Sequence, residues 1–143
     1  MLNIKLLPIF AFALAQSYRA RATGINCKGS SVCSIITWSD NTIGTIDVFS
    51  TFLQQAIDDG YGNHTYYSGM QIACYSSRCA FYEAGAEGTI EEAAQHLSNL
   101  KKFGCEHCGS DPTEEDGEVE NGRLTVNYVD QGTFKCGNEG LCN

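Results

Sequence analysis

Cys105-Glu106-His107-Cys108, inside the stretch GCEHCGSDP, is a C-x-x-C with a histidine between its cysteines. Two cysteines at that spacing can form a redox couple, supply half a zinc site, or anchor two separate disulfides. A reactive C-x-x-C needs a lowered thiol pKa, commonly supplied by a helix N-terminus. Here the motif follows the C-terminal end of a helix-patterned segment, where the dipole disfavours a thiolate. Glu106 adds negative charge beside it, which His107 opposes. A zinc site wants a second ligand pair at suitable spacing. Cys27 and Cys33 have five residues between them, and no H-x-x-H exists.

The remaining residues that could do chemistry are few. The histidines are His64, His96 and His107. A small secreted ribonuclease would want a His/Glu pair with a basic phosphate site, and His96 with Glu92 or Glu83 is the nearest candidate. His96 falls at the margin of a helix stripe, where a packed or surface histidine is the ordinary reading. The acidic run Glu114 to Glu120 lacks the EF-hand spacing, which requires glycine at the sixth loop position and glutamate at the twelfth. It reads as a solvated loop. No metal site and no cofactor are implied.

The compartment decides among the cysteine readings. Residues 1–22 read as a signal peptide with a short pro-piece. Lys5 precedes an apolar run, Leu6 to Ala15, that ends in small residues, with cleavage after Ala15 or after Ala22. That run is shorter than the roughly 20 residues a membrane anchor needs, so no stable membrane insertion is expected. The eight cysteines are Cys27, Cys33, Cys74, Cys79, Cys105, Cys108, Cys136 and Cys142. An even count in a small exported chain reads as a disulfide framework, with 105 possible pairings. Without the leader's Lys5, Arg19 and Arg21, six bases face 17 acids, a charge of −11. That balance argues against nucleic acid, where phosphate neutralisation needs Lys and Arg, and against anionic lipid.

Several elements must hold these residues in place. Thr45 to Asp59 is helix-patterned, with Ile46, Phe49, Phe52, Leu53, Ala56 and Ile57 three or four apart and Gly60 as a stop. Asn63-His64-Thr65 is an N-glycosylation acceptor, which makes Asn63 a candidate site on an exposed loop. Tyr66 to Tyr82 suggests a β-hairpin with Cys74 and Cys79 at its turn. A second helix spans about Thr89 to Phe103, opened by the capping box Thr89-x-x-Glu92 and ended by Gly104. Arg123 to Val129 alternates as a strand, with Leu124, Val126 and Tyr128 on one face. Two helices with several β segments make one α+β domain.

GINCKGSSVC, HLSNLKKFGCEHCGSDP and GRLTVNYV, in that order, resemble the fungal killer-toxin family of the killer protein four type, typified by a virus-encoded smut-fungus toxin. The likeness covers about Gly24 to Val129, within a killer-toxin-like domain at 23–143 whose tail, 130–143, diverges from the family pattern. It implies an antiparallel sheet with two antiparallel helices packed on one face, stapled by disulfides. By match, Cys27 would bond Cys105, Cys33 would bond Cys108, and Cys74 and Cys79 would close the hairpin. Cys136 and Cys142 would then be left for each other.

The resemblance implies a secreted, non-enzymatic, antifungal protein, acting as a monomer on a membrane-protein target of another cell. Family members block voltage-gated calcium channels, and relatives in plant-associated fungi look like virulence or competition factors. A cationic contact suits a pore ringed by carboxylates. Arg78, near the hairpin loop, is nearest in position to the family's basic residue, with Lys28, Lys101 and Lys102 as further contact candidates. The rivals are a small secreted hydrolase and a non-toxic apoplastic interaction protein that reuses the fold.

Overall fold

Two amphipathic helices carry the apolar stripes expected of them, and both bury those stripes against one sheet. The computed structural model describes residues 24–35, 43–137 and 139–142; the leader and its cleavage points lie outside the described residues. A short helix, α1 (Ser31–Ile35), precedes α2 (Thr45–Asp58). Next come strands β1 (Thr65–Tyr66), β2 (Gln71–Tyr75), β3 (Arg78–Glu83) and β4 (Gly88–Thr89). Helix α3 (Ile90–Phe103) leads to β5 (Gly109–Pro112), β6 (Arg123–Tyr128) and β7 (Gly140–Leu141). The main sheet is antiparallel in the order β5-β6-β3-β2-β7, and β1 with β4 forms a separate antiparallel pair. The architecture is α+β.

The register divides the sheet into two unlike faces. Ala80 lies opposite Val126 and Tyr82 opposite Leu124, and these four pack with Phe49 and Leu53 of α2 and Leu97 and Leu100 of α3. On the other face, Phe81 lies opposite Thr125 and Glu83 opposite Arg123. Cys74, Cys79 and Cys142 there form a second cluster, flanked by Phe81, Val129, Phe134 and Cys136. The tail is therefore built into the sheet. Its β7 pairs with β2, and Cys142 N–H donates to Ile72 O at 2.8 Å.

Local sequence sets both ends of α3. Thr89 caps the Glu92 N–H and Glu92 returns a bond to the Thr89 N–H, the reciprocal arrangement of a capping box. At the far end Gly104 takes φ +104, which a side chain rarely adopts. Cys105 N–H then reaches back to Leu100 O at 3.0 Å, and Gly104 N–H to Lys101 O at 3.0 Å. That wrap turns Cys105 inward onto Leu100. The hairpin between β2 and β3 turns on Ser76 and Ser77, whose φ values of 48° and 57° make the primed turn that suits strand twist.

Three features departed from the pattern reading. The entry segment contains α1, GSDP is the edge strand β5, and the tail supplies β7. Each is five residues or fewer, too short for periodicity to register.

Candidate functional site

The capping turn at Gly104 delivers the C-x-x-C to the N-terminal segment. Cys105 is bonded to Cys27 and Cys108 to Cys33. Between them, Asn26 and Ser110 exchange backbone hydrogen bonds of 3.0 and 2.8 Å, which adds residue 26 beside β5. Ser30 N–H donates to Asn127 Oδ1 at 2.8 Å, fixing the same segment to β6. Cys74 is bonded to Cys79 across the hairpin and Cys136 to Cys142 in the tail, so no cysteine is free. Cys105 and Cys108 therefore form neither a couple with each other nor an open metal pair.

His107, between the two cysteines, belongs to a half-buried polar junction. The Thr45 hydroxyl lies 3.1 Å from His107 Nδ1, and the Glu106 carbonyl accepts from Ile46 N–H at 3.1 Å. These contacts seat the first turn of α2 on the C-x-x-C. They also explain Gly44, where a Cβ would stand 2.7 Å from the Glu106 carbonyl oxygen.

Arg78 completes that junction, and here the expectation of a target contact is corrected. Its side chain is 0% exposed. One guanidinium nitrogen, Nη1, donates to Thr45 Oγ1 at 3.3 Å and to Ser76 O at 3.4 Å; the other, Nη2, donates to Cys33 O at 3.5 Å. The cause is strand parity. Arg78 stands two and four residues before Ala80 and Tyr82, so it points to the helix side of the sheet. Arg78 is a structural cation and presents no charge to solvent. The alternation of Arg78, Ala80 and Tyr82 was the sequence signal for this.

The other contact candidates are exposed. Lys101 and Lys102 occupy the last turn of α3, and Lys28 adjoins Cys27, whose bond to Cys105 ties it to that same helix end. Lys101 also pairs with Asp47 of α2, but its side chain remains 63% exposed. Elsewhere Arg123 is engaged by Glu83, 2.7 Å from its guanidinium. Lys28 lines a groove with Glu83, Glu120 and Arg123, so these cations are interleaved with acids and do not form one basic patch.

The hydrolase candidate takes a different form from the one expected. Glu92 is committed to the cap of α3 and Glu83 to Arg123, so neither serves His96. Instead His96 Nδ1 lies 2.7 Å from Asp111 Oδ2, and Asn99 Nδ2 donates to the same oxygen at 2.9 Å. Pattern reading missed Asp111, because an acid in a short edge strand carries no mark of its partner. A cleft of about 620 Å³ opens beside the dyad, rimmed by Glu114, Glu115 and Asp116. That rim repels a phosphodiester. Asn63 stands exposed in the turn between α2 and β1, apart from all these groups.

An α+β domain with every cysteine cross-linked and no free thiol defines a disulfide-stapled protein. The Kp4 family model matches residues 9–130. The chain is also 32% identical over 127 residues to the KP4 killer toxin of Ustilago maydis P4 virus, covering 84% of this chain and 91% of that toxin. The chain belongs to the Kp4 killer-toxin family.

Proposed function

We propose that this chain is a secreted killer-toxin-like protein that inhibits susceptible cells by binding a membrane protein, with a voltage-gated calcium channel as that target. The observation that carries the reading is family membership across nearly the whole chain, at 32% identity to a killer toxin. Export is supported by eight cysteines all held in disulfides, a state that persists in oxidising compartments. Among the described residues, no helix is long and apolar enough to cross a membrane, which suits action from outside.

Lys28, Lys101 and Lys102 supply the contact in this reading, because each is an exposed cation. Carboxylate rings at a pore mouth attract such groups. In this reading the chain acts by binding: the His96–Asp111 pair ties α3 to β5 beside an acid-rimmed cleft with no lysine or arginine among its lining residues.

Growth inhibition of a sensitive fungus tests the contact. The triple variant Lys28→Ala, Lys101→Ala, Lys102→Ala is expected to lose potency at least tenfold with its urea midpoint little changed. Full potency in the triple variant would remove these lysines from the mechanism. Whole-cell recording tests the target: purified protein should lower calcium current at growth-inhibitory concentrations. Arrest of growth with undiminished current would leave the toxin reading and discard the channel. Activity lost in His96→Ala at unchanged stability would favour the hydrolase.

A further inference from the structure

The turn that follows α2 joins an acceptor asparagine to an exposed aromatic ring. Tyr61-Gly62-Asn63-His64 is closed by a hydrogen bond from His64 N–H to Tyr61 O at 2.9 Å, so Tyr61 opens the turn and Asn63 stands at its third position. The turn is held from three sides. Tyr61 N–H donates to Ala56 O at 2.9 Å, while Glu91 N–H donates to Gly62 O and Ile90 N–H to His64 O, each at 3.1 Å. Thr65, the third residue of the acceptor triplet, begins β1 opposite Thr89. Asn63 is exposed, and Tyr61 leaves 63% of its surface in solvent at the edge of an open groove shared with Phe52, His64 and Tyr66. Among the described residues, the Tyr61 ring makes no contact with another aromatic ring.

We infer that Asn63 carries an N-linked glycan whose first N-acetylglucosamine packs its apolar face on the ring of Tyr61. The inference rests on the export part of the proposed function. The co-reactant is a lipid-pyrophosphate-linked oligosaccharide of the secretory lumen. Asn63 Nδ2 attacks the anomeric carbon of its terminal N-acetylglucosamine, and a C–N bond forms as the C–O bond to pyrophosphate breaks. One amide proton is lost to base, and the lipid pyrophosphate departs with the electron pair. The hydroxyl of Thr65 supplies the third element of the acceptor motif. One residue, Gly62, separates the ring-bearing residue from the attachment point across a closed turn, which keeps the first sugar within reach of the aromatic face. The C–H groups on a sugar's apolar face are weakly positive, and the face of an aromatic ring is negative.

Residues 23–143 secreted from yeast behind a host leader make delivery to the lumen independent of residues 1–22, so failure of the native leader cannot be mistaken for failure of the site. Enzymatic removal of N-glycans is expected to lower the intact mass of the wild type and to leave Asn63→Gln unchanged. A wild-type mass unaffected by that treatment overturns the glycan. For the seating, Tyr61→Ala should lower the melting temperature of the glycosylated chain by about 3 °C more than it lowers that of Asn63→Gln. Tyr61→Phe, which keeps the ring, should retain the difference. Equal lowering by Tyr61→Ala in the two backgrounds overturns the packing of sugar on ring.

Discussion

Arg78 shows how far a residue's chemical type falls short of its role. A lone arginine beside a hairpin invites a target contact, but a guanidinium at 0% exposure, donating to Thr45, Ser76 and Cys33, holds elements together instead. Removing it would strand those acceptors in the interior, a loss on the order of 2–4 kcal/mol. Arg78→Met is therefore expected to lower stability in urea denaturation by that amount. Potency per folded molecule should be unchanged; a potency loss at unaltered stability would return Arg78 to the target face. His107 teaches the same point, since its place in a C-x-x-C suggested redox or zinc chemistry and its Nδ1 sits instead 3.1 Å from Thr45 Oγ1.

At the scale of elements, the cross-links differ in what they hold. Cys27–Cys105 spans 78 residues and fastens the N-terminal segment to the end of α3, whereas Cys136–Cys142 spans six within the tail. Cys33–Cys108 closes nearly the same long loop, so chain entropy makes the two bonds jointly worth roughly 4 kcal/mol, against roughly 2 kcal/mol for the tail bond. Alanine at Cys27, Cys33, Cys105 and Cys108 together should lower the urea midpoint more than alanine at Cys136 and Cys142; the reverse ranking would show that the tail is the more important clamp. The capping box and the glycine stop of α3 were legible because they depend on residues three to five apart. Strands of two to four residues such as β4, β5 and β7 were not, since pairing partners and not their own pattern create them.

For the whole molecule, burial of two tyrosines couples folding to alkaline pH. Desolvation raises the Tyr66 phenol above its usual value, and desolvation followed by the charge of Glu92 raises that of Tyr82 further. A phenol whose folded pKa is raised stabilises the fold fully below its unfolded pKa of about 10 and progressively less as pH climbs beyond it. Stability should thus decline from about pH 10 upward, and Tyr82→Phe should flatten that decline in urea titrations. An identical slope in Tyr82→Phe would assign alkaline loss to other groups.

The sequence by itself determined the two helices, the caps of α3, the hairpin turn, the best strand and the family likeness, because each rests on local spacing or on motifs in register. Its chemistry-bearing residues were visible as types, but their duties were not. Tertiary structure decided that Arg78 lies inside, that His96 meets Asp111, that the tail completes the sheet and that Cys27 is fastened to the end of α3. Those outcomes depend on strand register and on contacts between segments far apart in the chain, and neither is written in any short stretch of residues.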